Sequence, residues 1–206
     1  MNIITISREF GSGGRELGKR LADELGYDYY DREIILAIAK SQNLDESYVE
    51  QAMDHSMWQG RPLTYRRSFT SSVLFQAPQT NFLLEQKRVI EGIAGLGKNC
   101  VIVGRNADVF LEGQTMFHIF VCADMEARVR RCIERAAEGE HLTRREIEQN
   151  IRRIDKNRAR NREIITDNSW GKGTTYDLTV NTSNWDIKEL APAVAEFAKC
   201  WFGRTK

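Results

Sequence analysis

The N-terminal stretch as far as Gly14 constrains this chain more than any other. A β-branched run, Ile3-Ile4-Thr5-Ile6, passes through Ser7-Arg8-Glu9-Phe10 into Gly11-Ser12-Gly13-Gly14. A short apolar run bounded by glycines reads as a buried strand. Beyond the glycines, Leu17, Leu21 and Leu25 recur every fourth residue, and Gly26 follows. That stripe predicts an amphipathic helix closed by Gly26. Gly14 and Gly18 share its apolar face, so the helix can approach a sheet closely. Strand, glycine turn and helix in this order aim backbone N–H groups and a positive helix end at one point, which suits a phosphate. A tight strand–helix connection without a ligand is the other reading of the same residues.

Downstream, strands and helices alternate. Strands are predicted at Tyr27–Tyr30, Val101–Val103, Phe117–Cys122 and Tyr176–Asn181. Helices are predicted after Asp31, from Asp45 to about His55, from Thr80 to Gly97, after Asp124, from about Thr143 to Ile165, and after Asp186. Asp31, Thr80 and Asp124 stand as N-caps, and Asp186 to Glu189 forms a capping-box pattern. Pro192 is expected to kink or break the last helix early. The alternation implies an α/β fold, a mostly parallel five-stranded sheet with helices on both faces. Residues 56–79 lose periodicity and hold Gly60, Pro62 and Pro78 with Arg61, Arg66 and Arg67. They read as a mobile insert in a single domain spanning 1–206.

Composition removes several classes. The hydrophobic fraction of 41% and charged fraction of 29% are ordinary for a globular chain. No apolar run approaches the roughly 18 residues of a membrane span. The N-terminus lacks a basic leader, so a cytoplasmic location is expected. Cys100, Cys122, Cys132 and Cys200 form no metal-ligand spacing and read as buried reduced thiols. His55, His118 and His141 do not cluster, so no metal site is expected, and His118 reads as a packed strand residue. Trp170-Gly171-Lys172 reads either as a loop over a ligand or as packing. Net charge is +1. That weighs against nucleic acid as a partner, although arginine crowds the span from Arg128 to Arg162.

Ile4-Thr5-Ile6-Ser7-Arg8-Glu9-Phe10-Gly11-Ser12-Gly13-Gly14-Arg15-Glu16 resembles the opening of the cytidylate kinase-like family. The likeness continues at Leu25 to Asp31, Val101 to Arg105, Asp155 to Arg158, Tyr176 to Leu178 and Asn181 to Ser183. It implies a three-layer P-loop kinase fold and transfer of phosphate from ATP, with Mg2+, to a nucleoside monophosphate, CMP or dCMP in the first place. Gly11, Ser12, Gly13, Gly14, Arg15 and Glu16 would then hold the nucleotide, and Asp31, Arg32, Arg105, Asp155 and Arg158 the acceptor.

The chain also departs from the standard loop, G-x-x-x-x-G-K-[ST]. Counting back from Asp31, Gly13 takes the last glycine, Gly14 the lysine, Arg15 the Ser/Thr and Arg8 the first glycine. Arg32 follows Asp31 where cytidylate kinases carry Ser or Thr. Asn106 replaces an aspartate, and Ile151 an arginine. A nucleotide- or anion-sensing domain without transfer is therefore a second reading, and RNA binding a third.

Phosphoryl transfer needs fixed positive charge, which arginine supplies as a planar fork. Arg8, Arg15, Arg128, Arg131 and Arg158 are the expected catalytic cations. Arg8 and Arg15 could instead pair with Glu9 and Glu16. Arg128, Arg131 and Arg135 lie at i, i+3 and i+7, and pairing with Glu126, Glu134 and Glu138 is their alternative. Arg158 continues the inward stripe Ile147, Ile151, Ile154, where an ion pair with Asp155 competes with a ligand.

Overall fold

The structure is a computed structural model that describes residues 1–31, 79–104, 106–136 and 142–204. Five strands form one sheet: β1 (Ile3–Arg8), β2 (Asp28–Tyr30), β3 (Cys100–Val103), β4 (Met116–Cys122) and β5 (Leu178–Asn181). Their order is β2-β3-β1-β4-β5, and every pairing is parallel. The described helices are α1 (Gly14–Leu25), α2 (Gln79–Gly95), α3 (Ala107–Phe110), α4 (Met125–Glu134), α5 (Arg144–Glu163) and α6 (Ile187–Arg204). None is long and apolar enough to cross a membrane. The predicted helices after Asp31 and Asp45, and residues 56–78 of the predicted insert, lie outside the described residues.

Alternation along the strands sorts the core into two layers. Ile4, Ile6, Val101, Val103, Ile119 and Val121 pack against Leu17 and Leu21 of α1 and Ala191, Val194 and Ala198 of α6. Their neighbours Ile3, Cys100 and Ile102 face the other way, onto Val89, Ile90 and Ile93 of α2 and Leu111. Leu17 and Leu21 are fully buried, each contributing roughly 1.5–3 kcal/mol. A third cluster joins Phe10 to Val129 and Cys132 of α4 and Ile147 and Ile151 of α5. It fastens the segment after β1 to the two arginine-rich helices.

The element ends follow local chemistry. Gly26 takes a left-handed conformation and its N–H returns to the last carbonyls of α1. Asp124 caps α4 through the N–H of Ala127 (2.7 Å). Thr143 and Glu146 close a reciprocal capping box on α5. Asp186 caps α6 through the N–H of Lys188 (2.8 Å).

Several expectations need correction. Pro192 does not break α6, which runs on to Arg204, because the face bearing Ala191, Val194, Ala198 and Phe202 is buried over its length. Thr80 lies inside α2, which already includes Gln79. The last strand begins at Leu178, since the 3-10 turn Gly173–Thr175 leads up to Tyr176. α3 has no counterpart in the sequence reading. Cys200 is exposed, while Cys100 and Cys132 are buried. Burial and the nearby Asp28 carboxylate push the Cys100 thiol up to about 12, so it stays protonated.

Candidate active site

The chain leaves β1 toward β2 on one side and returns to β4 on the other. Connections therefore diverge beside β1, which opens a crevice at the carboxyl ends of the strands. The glycine turn lies there. Gly11 and Gly13 have φ of 80° and 82°, the left-handed region that favours glycine. Gly13 caps α1 without a side-chain acceptor. Leu17 N–H donates to Gly13 O (2.9 Å), so the amides of Gly14, Arg15 and Glu16 stand ahead of the helix's own ladder. Their donors and the positive end of α1 converge on the crevice.

The turn is braced from the β4–β5 side. Ser12, fully buried, donates its hydroxyl to Glu9 O (2.9 Å), and Thr182 donates its own to Ser12 O (2.6 Å). Glu9 accepts from Ala123 N–H (3.0 Å). Arg128, 5% exposed, donates to Phe10 O (2.7 Å) and pairs with Asp155 and Glu9. Asp155 also accepts from Phe10 N–H (2.8 Å). Arg158 lies 3.5 Å from Asp155, donates to Arg8 O (2.8 Å) and covers the Phe10 ring. Arg131 donates to Thr182 Oγ1 (3.1 Å), Thr182 O and Trp185 O. Arg128, Arg131 and Arg158, expected to be catalytic, thus hold backbone carbonyls around the turn in this structure. Asp155, expected at the acceptor, knots the brace together.

The β2–β3 side is different. Arg15 reaches Asp31 with Nε (2.7 Å) and Nη2 (2.6 Å) on the same carboxylate oxygen. Glu16, the partner weighed for it from sequence, takes Arg20 and Arg135. Asp31 is 4% exposed. Tyr29 donates its hydroxyl to Arg15 O (3.3 Å) and approaches Asp31 (3.5 Å). Burial, then the Asp31 charge, push the Tyr29 phenol well above its ordinary value, so it remains a neutral donor. Arg15 and Arg8 oppose that rise, by less than burial and Asp31 raise it.

Arg8 is fitted by two glycines. A Cβ on Gly14 would fall 2.6 Å from Arg8 Cβ, and one on Gly104 would fall 1.6 Å from Arg8 Nη1. The arginine stem therefore lies over the start of α1, and its guanidinium lies over the backbone that ends β3. The count back from Asp31 sets Gly14 against the loop lysine, and a side chain at Gly14 would drive into Arg8. Arg32 and Arg105 lie outside the described residues.

Sequence reading missed Arg162. It is 1% exposed, pairs with Asp108 (2.7 Å) and covers the Tyr176 ring. Its position was signalled, because Arg162 follows Arg158 by four on the Ile147 stripe. Elsewhere the charged helices pair along solvated faces, Arg144 with Glu126 and Glu148, Arg152 with Glu148, Arg130 with Glu134. Those glutamates dilute the basic surface on which the RNA reading depended.

A parallel sheet in this order, with a glycine turn between β1 and α1, defines a P-loop kinase fold. Solved structures agree at the level of fold. An uncharacterized protein from Eubacterium ventriosum superposes with a TM-score of 0.70 at 22% identity, over 97% of this chain and 99% of that one. A shikimate kinase from Bacteroides thetaiotaomicron gives 0.53 at 14% identity, over 96% and 98%. Residues 3–184 match the cytidylate kinase-like family, and the chain belongs to it. No curated protein matches in sequence.

Kinases of this type generally use ATP with Mg2+. In the standard loop the Ser/Thr hydroxyl and an aspartate hold the metal. Here Arg15 stands in the hydroxyl position and occupies Asp31. The nearby carboxylates Glu9, Glu16 and Asp155 are also bound by arginines. Among the described residues no three His, Cys, Asp or Glu side chains gather as a metal site. The donor set that the described residues bring to the turn does not fit a divalent cation.

Proposed function

We propose that the protein is a phosphotransferase that moves the γ-phosphoryl group of ATP to a nucleoside monophosphate, CMP or dCMP in the first place. The observation that carries this reading is Arg8. Its stem crosses Gly14 and its guanidinium lies over Gly104 at the end of β3, next to the turn that lacks the loop lysine. A cation there stabilises bound phosphate in a sensor and a transferase alike, and in a transferase it also meets the charge that develops in the transition state.

In this reading the amides of Gly13 to Glu16 cradle the phosphate chain of ATP. An acceptor phosphate oxygen attacks the γ-phosphorus, and the bond to the β–γ bridging oxygen breaks. ADP leaves with that electron pair. Charge spreads over the equatorial oxygens in the transition state, so a fixed cation beside them lowers the barrier. Arg8 is assigned that role. Arg128, Arg131, Asp155 and Arg158 are assigned the positioning of the turn, and Arg15 with Asp31 the wall on the acceptor side. Arg32 and Arg105 remain proposed acceptor contacts.

The test is a panel of nucleoside monophosphates with ATP, with and without magnesium, read as ADP formed. ADP formation that depends on one pyrimidine monophosphate supports the assignment. ATP binding without ADP formation for any acceptor moves the protein to the sensing class, which the absent lysine favours.

A further inference from the structure

The mismatch between the turn and a divalent cation has a positive counterpart. We infer that this turn holds a phosphate chain with no metal ion on the loop, Arg15 supplying in fixed form the charge a metal would bring there. The inference rests on the reading of the glycine turn as a phosphate site.

A divalent cation needs anionic or neutral oxygen donors with open lone pairs. The standard loop offers a hydroxyl next to the lysine, and an aspartate from another strand completes the metal's protein donors. In this chain a guanidinium replaces the hydroxyl. Its Nε and Nη2 lie 2.7 and 2.6 Å from Asp31 Oδ2. Asp31 is buried, and Tyr29 backs both partners. The carboxylate beside Arg15 is thus committed to a cation of the chain itself.

Arginine does not lose its proton in a protein, and it carries several donors in a plane. Placed at the mouth of the turn, it repels a second cation and offers hydrogen bonds to phosphate oxygens. Arg15 stays about one-third exposed while it holds Asp31, so a ligand can reach it from the solvent side. Glu16 is the other carboxylate of the first helical turn, and Arg20 and Arg135 hold it. Glu9 and Asp155, below the turn, are held by Arg128. Among the described residues at the turn, arginine has taken the carboxylates Glu9, Glu16, Asp31 and Asp155, while the backbone donors that suit phosphate remain.

Calorimetric titration of the full chain with ATP, and separately with inorganic tripolyphosphate, tests this in excess EDTA and in excess magnesium. Affinity in EDTA is expected to equal or exceed that in magnesium for both anions. A loss in EDTA of more than about tenfold overturns the inference. So does failure of both anions to bind in EDTA. Tripolyphosphate binding in EDTA without ATP binding leaves the inference standing and removes the nucleotide reading; metal-free ATP binding without ADP formation removes only the transferase reading. Arg15→Thr restores a hydroxyl and releases Asp31, so its ratio of magnesium to EDTA affinity should rise by about tenfold. A ratio equal to the parent's overturns the assignment to Arg15. If that variant does not fold, Arg15→Lys keeps the charge and should keep binding in EDTA, and loss of EDTA binding in that variant counts against the charge argument.

Discussion

The two flanks of the glycine turn use the same residue type for opposite ends. On the β4–β5 flank, Arg128 and Arg131 are buried and spend their donors on carbonyls and carboxylates of the protein. On the β2–β3 flank, Arg8 and Arg15 are partly exposed and lie beside the crevice. The first pair stiffens the turn, and the second is the pair to which the proposed function assigns contact with phosphate. The difference comes from what surrounds each side chain. A buried arginine must be satisfied at once, whereas one at a rim can exchange protein partners for a ligand.

Four measurements break or sharpen this contrast. Arg128→Ala should have the largest effect. It removes the main cation on Asp155, leaving Arg158 and the Phe10 N–H, and takes the donor from Phe10 O; loss of one partner of a buried pair costs about 3–5 kcal/mol. Urea unfolding should show the drop. A variant within about 1 kcal/mol of the parent would put Arg128 on the rim after all.

Next comes the fit of Arg8. Gly14→Ala should cost about 1–3 kcal/mol of stability through overpacking against Arg8 Cβ. Most of that cost should vanish in the double variant Arg8→Gly with Gly14→Ala. A double-mutant cycle measures the coupling, and simple additivity would mean that the two residues do not touch.

Arg8→Ala should reverse the pattern of Arg128→Ala. Stability should change little, while ATP affinity or transfer falls by about 1–3 kcal/mol, the scale of a charged hydrogen bond. An unchanged ATP titration and unchanged turnover would remove Arg8 from the chemistry.

The smallest effect concerns the cap of the braced flank. The Ala127 N–H, foremost, holds the Asp124 carboxyl below its ordinary value of 3.8. A depressed carboxyl stabilises the fold above its unfolded pKa, and that contribution fades as pH falls through the folded value. The Tm gap between the parent and Asp124→Ala should hold steady from neutral pH to about pH 5 and shrink toward pH 3. A gap constant through acid pH would show that the ionised cap contributes nothing.

How much of this was legible follows from the range of each signal. The strand, the turn and α1 were readable because glycine spacing and the Leu17, Leu21, Leu25 stripe are local. Asp124 and Asp186 were readable as caps for the same reason. The inward stripe of α5 showed that Arg158 faces the core, and the Asp155 pairing was foreseen as its alternative. The partners of Arg128, Arg131 and Arg162 were not legible, because Phe10, Thr182 and Asp108 come from remote parts of the chain. Charge patterning alone gave Glu126, Glu134 and Glu138 as partners for the α4 arginines. Nor could the sequence say that Gly14 and Gly104 are glycine on account of Arg8, since that contact joins the ends of two strands.

The seat of Arg8 bears on how such a loop can change hands over generations. Two arrangements are self-consistent: a glycine before the turn with a lysine after it, or the reverse arrangement found here. Crossing from one to the other takes two replacements, Arg8→Gly and Gly14→Lys. Taken in one order, the intermediate carries two long cations in one space. In the other order it carries neither. One route therefore meets a crowded loop, and the other a loop whose charge rests on Arg15 alone.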